Sequence, residues 1–200
     1  MGLRAKNAER TRELLLDAAL GLFVEQSFEE TTLEQIAEKA DVSLSTLYRY
    51  FPTKDLLVLA PVALHGQMAD ELASRPSDEP MAVALGHAVC ALTGAQRGDE
   101  RRLFQVSQLL ARSEVLRSRL RDELTRERIA LQAAIAHRLG RPESDTYCAM
   151  TARVTVGVFE VAAARARTGG TPFDGGALTE AAGTVMTALQ ADPPTMPRTV

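Results

Sequence analysis

Apolar residues recur at helical spacing along nearly the whole chain, and strand-like alternation bounded by turns is missing. In "RTRELLLDAALGLFVEQSF", Leu14, Leu15, Ala18, Ala19, Leu22 and Phe23 share one face, which predicts a first helix over about 7–25. "TTLEQIAEKA" predicts a second, short helix with Thr32 as N-cap, Gln35 completing a capping box, and Leu33, Ile36, Ala37 and Ala40 on its apolar side. "ADVS" is a tight connection in which Ser43 caps the next helix, "LSTLYRYF". Pro52 stops that helix after about two turns, because the residue before a proline disfavours helical backbone. Thr53 is the expected cap of a fourth helix, "KDLLVLAPVALHGQMADELAS", kinked at Pro61. Further helices are predicted over about 80–95, 100–112, 114–139, 143–168 and 176–190, separated by "TGAQRGDE", "LGRPESD" and "TGGTPFDGG". "ADPPTMPRTV" reads as a frayed tail. The expectation is an all-α chain of about nine helices.

Composition adds boundaries to that picture. The hydrophobic fraction of 46% is ordinary for a globular protein. No run of about 18 apolar residues suggests a membrane-spanning helix, and "MGLRAKNAERTRE" lacks a signal peptide's apolar core, so a cytoplasmic location is expected. Cys90 and Cys148 have no metal or redox spacing and read as reduced thiols. Lys and Arg number 23 against 26 Asp and Glu, a formal charge of −3, so any nucleic-acid surface must be local. Two basic clusters are available: Arg4, Lys6, Arg10 and Arg12 near the start, and Arg49 with Lys54. Composition shifts again near residue 75.

Two short helices joined by a tight turn, the second stopped by proline, have the form of a helix-turn-helix, which lays its second helix in the DNA major groove. Leu47 and Phe51, four apart, supply its buried side together with Val42. Leu44, Ser45, Tyr48 and Arg49 fall largely elsewhere, with Thr46 and Tyr50 at the margins. Small hydroxyls permit close approach to base edges, and tyrosine hydroxyls reach phosphates. Arg49 suits either a guanine edge or a phosphate.

Residues 10–57 resemble the DNA-binding domain of TetR-family transcriptional regulators. The resemblance is carried by Ala18-Ala19, Phe23, Phe28, Thr32, Ile36-Ala37, Ala40, Val42-Ser43, Thr46-Leu47-Tyr48, Phe51, Lys54 and Leu57, in order and without gaps. It implies a DNA-binding domain over 1–54 and a helical effector-binding and dimerisation domain over 55–200, with the fourth helix as connector. It implies a Thr32 bond to phosphate, Leu44, Ser45, Thr46 and Arg49 facing the groove with Ser43 capping them, Tyr48 and Tyr50 on the backbone, and Lys54 holding a phosphate. The basic arm before the first helix would reach an adjacent minor groove or backbone. Ser27, Asp41 and Ser45 stand where the family favours Gly, Gly, and Gly or Pro, and Glu34 places an acid at a position that sometimes meets bases. Asp tolerates the left-handed backbone such a turn needs.

The resemblance further implies a homodimer on a pseudo-palindromic operator, released by a small-molecule effector, with the last two helices as interface. Val158, Ala162, Ala181 and Val185 are the expected interface residues, and Met68, His87, Cys90, Phe104, Gln108 and Tyr147 the expected pocket lining. That low-polarity lining favours an apolar or amphipathic ligand. An enzyme needs a nucleophile–base or metal constellation, and His65, His87 and His137 form none. No cofactor, metal or membrane partner is expected. A helical protein-binding adaptor that has lost DNA binding would not need Thr32, Tyr48 and Lys54.

Overall fold

The computed structural model describes residues 2–60, 66–94, 100–168 and 175–194, and every regular element within them is a helix. The order is α1 (Leu3–Gln26), α2 (Leu33–Lys39), α3 (Leu44–Tyr50), α4 (Leu56–Leu59), α5 (Gln67–Ser74), α6 (Met81–Gly94), α7 (Glu100–Arg112), α8 (Glu114–Leu139), α9 (Thr146–Thr168) and α10 (Gly175–Ala191). The ten helices among the described residues exceed the expected nine because the fourth is present as two, α4 and α5. Pro61 and His65 lie between these two, outside the described residues, as do most of the expected breaks before α7 and α10 and the end of the tail.

The chain divides into two compact units. The first takes residues 2–60 with 101–122, and the second the remaining described residues, the division falling within α8. In the first unit, Leu15, Leu16, Ala19, Leu20 and Phe23 of α1 join Ile36, Leu47, Phe51, Leu57, Val58, Val106, Leu109 and Leu116 in one apolar cluster. Five other helices contribute to that cluster or its edge, so α1 is buried on more than one side. That is why Leu16 and Leu20 are buried although they lie off the predicted face, while Leu14 on that face is exposed. Sequence periodicity sees one stripe; a central helix needs a wider one.

Two element starts differ from expectation. α1 begins at Leu3, because extended Gly2 accepts from Ala5 N and Lys6 N, so the basic residues expected in an arm lie on the helix itself. α4 is capped by Asp55, without a side-chain bond, and not by Thr53, which is exposed.

In the second unit α10 packs on α9 and α6, and α5 on α6. The N-cap of α5 is Gly66, whose φ of 77° is left-handed and suits glycine. Its N-terminal N–H groups are satisfied from outside the helix. Glu127 of α8, 1% exposed, accepts from Gly66 N at 2.6 Å and Met68 N at 2.7 Å. Burial raises the Glu127 pKa above the usual carboxylate range, against the lowering effect of those bonds. α9 is long and apolar enough over Thr146–Arg167 to cross a membrane by length and composition, with a mean hydropathy of 1.2. It packs against α10 and α6, as the core helix of a globular unit does.

Candidate nucleic-acid interface

Two helices of seven residues each form the candidate interface, and both need their caps because such short helices are not stable alone. Thr32 caps α2: its hydroxyl oxygen accepts from Gln35 N at 3.2 Å, and Gln35 Oε1 accepts from Thr32 N at 2.8 Å. The cap uses the oxygen's lone pair and leaves the hydroxyl proton to donate outward from an exposed residue. Asp41 carries the turn, with φ at 52°. Ser43 then caps α3 by accepting from Thr46 N at 3.2 Å, and its hydroxyl also lies 3.0 Å from Ser45 Oγ and 2.9 Å from Thr46 Oγ1. Phe51, at φ −136° and ψ 90°, ends α3 in extended backbone before Pro52.

Leu47 is fully buried and Phe51 nearly so, and these two hold α3 on the core. Ser45, Tyr48 and Arg49 are exposed at i, i+3 and i+4 and so share an outer face. Thr46 is half-buried beside them. Leu44 and Tyr50, also expected outward, are half-buried and pack partly against the core cluster. With Leu47 and Phe51 pointing inward on so short a helix, the flanking positions are drawn partly onto the same cluster. The Tyr50 ring instead supports Arg49, whose guanidinium lies 5.4 Å from the ring centre. The expected basic arm is likewise corrected. Lys6 and Arg10 are exposed on α1, but the Arg12 guanidinium sits 5.3 Å from the Phe51 ring, and the Arg4 side chain lies outside the described residues. Exposed Glu34 in the first turn of α2 complements the helix dipole there and limits how much anion that terminus attracts.

Lys54 does not point outward. Its ammonium donates to Phe28 O at 2.6 Å and Thr31 O at 3.0 Å. Sequence reading also missed the ties that hold α7 and α8 to this unit. Arg102, 9% exposed, pairs with Glu13 and with Asp17 at 3.1 Å. Ser113 Oγ donates to the Glu29 carboxylate at 2.5 Å, and that bond holds the Glu29 pKa below its usual value. The i, i+4 acids Glu13 and Asp17 were a visible signal on α1, but nothing nearby in sequence names an arginine 85 residues away as their partner.

The six expected pocket residues lie on α5, α6, α7 and α9. Met68 is fully buried on α5, while Phe104 and Gln108 lie on α7 in the other unit, Phe104 exposed. Tyr147 is exposed, with the Arg141 guanidinium 4.9 Å from its ring centre. His87 and Cys90 do share an open groove of about 400 Å³ with Met186, Thr187 and Gln190 of α10. Among the described residues, no three His, Cys, Asp or Glu gather as metal ligands. Of the expected interface residues, Val158, Ala162 and Val185 are buried within the single chain and Ala181 is half-buried. Val158 and Ala162 lie on α9 and Ala181 and Val185 on α10, two helices that pack on each other. The outward face of α9 instead carries Tyr147, Met150, Val154 and Val161, all exposed and spaced three, four and seven apart.

Capped α2, the left-handed turn and α3 with its exposed polar row define a helix-turn-helix of the DNA-binding class. Residues 15–60 match the family model described as bacterial regulatory proteins, tetR family, and residues 79–190 match that of the MftR C-terminal domain. The chain belongs to the TetR family of transcriptional regulators, which are not enzymes. It is 38% identical over 100 residues to the HTH-type transcriptional regulator TcmR of Streptomyces glaucescens, covering 50% of this chain and 44% of that one. It is 36% identical over 73 residues to the repressor KstR of Rhodococcus jostii, covering 36% of this chain and 34% of that one. The chain thus spans less than half the length of the curated relatives it matches. Its fold is similar to that of FadR from Bacillus subtilis, solved with stearoyl-CoA, at a TM-score of 0.58, 18% identity, and 92% and 99% coverage of the two chains.

Proposed function

We propose that this protein is a ligand-responsive transcriptional repressor that binds a pseudo-palindromic operator as a homodimer. The observation that carries the reading is the row of Ser45, Tyr48 and Arg49 on the open face of a capped, core-anchored α3. Residues 1–54 act as the DNA-binding domain and 55–200 as the effector and dimer domain. Thr32 and Tyr48 contact phosphates, Ser45, Thr46 and Arg49 face the groove, and Ser43 sets the angle of α3. Such a protein acts in the cytoplasm, on the nucleoid.

The dimer face is the exposed apolar stripe of α9, Tyr147, Met150, Val154 and Val161, joined by half-buried Ala181 and exposed Thr184 and Ala188 of α10. Small residues on α10 allow close approach of a second copy. Such an exposed apolar row is costly on a free surface and gains by association. The effector is a small apolar or amphipathic molecule, and it enters at the groove holding His87 and Cys90. Binding shifts the dimer toward a spacing of the two α3 helices that no longer matches the half-sites. The FadR structure with stearoyl-CoA supports that ligand class by likeness of fold alone.

A gel-shift titration of the promoter region beside the protein's own gene tests this reading. Wild type should form one discrete complex at moderate salt, and Arg49→Ala should weaken it at least tenfold. A chain that binds that fragment no better than random DNA, and Arg49→Ala no worse, would count against it.

A further inference from the structure

The ammonium of Lys54 has three N–H donors. It places them on Phe28 O at 2.6 Å, Thr31 O at 3.0 Å and, more weakly, Glu29 O at 3.4 Å. The Phe28 ring lies 4.5 Å away and meets another side of the charge. A phosphate oxygen would have to displace one of these partners.

The three carbonyls belong to a turn that needs such a cation. Ser27 enters it at φ 105°, a conformation that L residues rarely adopt. Thr31, 1% exposed, donates its hydroxyl back to Ser27 O at 2.7 Å, and Glu30 N donates to Ser27 Oγ at 3.2 Å. This winding turns the carbonyls of residues 28, 29 and 31 toward one point. Converging carbonyl dipoles repel one another unless a positive charge sits among them. The next residue is Thr32, the cap of α2. On its other side the turn is tied through Glu29 to Ser113, which caps the start of α8 by accepting from Leu116 N at 3.4 Å. Burial holds the Lys54 pKa below the usual lysine range, with Glu29 acting in the opposite direction.

We infer that Lys54 is a positioning residue: it gathers the carbonyls of Phe28, Glu29 and Thr31 so that Thr32 and the start of α2 meet the DNA backbone, and it does not itself bind phosphate. The inference rests on the DNA-binding reading above. It departs from the role that resemblance implied for this lysine, because the structure shows where its donors go.

Two measurements test it. The chain has only three lysines, Lys6, Lys39 and Lys54, and the first two are exposed, so they serve as internal controls for amine labelling. Acetylation of the wild-type protein, read by mass spectrometry, should reach Lys54 several-fold more slowly than Lys6 and Lys39, with and without operator. Labelling of Lys54 as fast as the controls in the free protein would overturn the inference, as would a fresh loss of labelling on adding operator. The second measurement is the salt dependence of operator binding by Lys54→Met, which keeps the apolar stem. The variant should melt lower and bind about tenfold more weakly, with the slope of log K against log salt unchanged. A slope shallower by about 0.9 per half-site, with an unchanged melting temperature, would instead assign Lys54 to phosphate. If Lys54→Met does not fold, that result supports the bracing role and the labelling decides the rest. If wild type binds no operator, the DNA-binding reading fails, and labelling of the free protein still shows whether Lys54 is held.

Discussion

Thr32→Ala and Thr32→Asp are expected to move stability and DNA affinity in different ways, because one hydroxyl serves both. Alanine removes the acceptor for Gln35 N and leaves half the capping box, since Gln35 Oε1 still accepts from the backbone N–H of residue 32. The cost is about 1 kcal/mol, or roughly 2–4 °C in a chain of this size. Alanine also removes the donor to phosphate, about 1 kcal/mol per half-site and about 2 kcal/mol for a dimer, close to thirtyfold in affinity. Aspartate caps a helix at least as well as threonine, and its charge suits the N-terminus of α2, so stability is kept or gains a few tenths of a kcal/mol. At the proposed contact the same carboxylate would face a phosphate. Repulsion of about 1–2 kcal/mol per half-site adds to the lost donor, for a total on the order of 10³-fold or more. Thermal melts read the first effect, and fluorescence anisotropy with a labelled operator at fixed salt reads the second. Thr32→Asp binding within threefold of wild type would refute the phosphate contact. A Thr32→Asp melt as low as that of Thr32→Ala would refute the cap.

Three further outcomes follow from the geometry. Leu47, fully buried, is the main anchor of α3, so Leu47→Ala should cost about 2–5 kcal/mol in urea unfolding of the first unit, and a loss below about 1 kcal/mol would contradict that anchoring. Val161→Glu puts a charge in the exposed apolar stripe of α9; light scattering should report a monomer with wild-type helicity, and a persistent dimer would move the interface elsewhere. Glu127 has a raised pKa, so its share of stability is present below the ordinary Glu value of about 4.3 and is lost as pH rises through the raised one. Wild type should therefore lose stability relative to Glu127→Gln across that window, and parallel pH profiles of the two melts would exclude it.

How much of this was legible in sequence depended on the range of the interactions. The caps at Thr32 and Ser43 are local signals, three residues to their partners, and the structure has both. So is the stop at Pro52. The face of α3 was read only in part, because a two-turn helix has marginal positions: Leu44 and Tyr50 are partly buried on the core cluster. Long-range pairs were not legible at all. Nothing beside Arg102 in sequence marks it, yet it is buried against Glu13 and Asp17. Lys54 occupies the position where resemblance implies a phosphate contact, but its partners are backbone carbonyls, which no residue pattern displays. Resemblance implied Val158, Ala162, Ala181 and Val185 as contacts to a second copy, but residue type alone does not separate such contacts from packing inside the chain, where Ala162 and Val185 are buried.

The central claim is sequence-specific DNA binding through α3. Selection of fragmented genomic DNA on the purified wild-type protein at about 0.15 M salt, followed by sequencing, tests it most directly. The account predicts enrichment of a few fragments sharing an inverted repeat, and loss of that enrichment in Arg49→Ala. Recovery of fragments in proportion to their abundance, with no shared repeat, would contradict it.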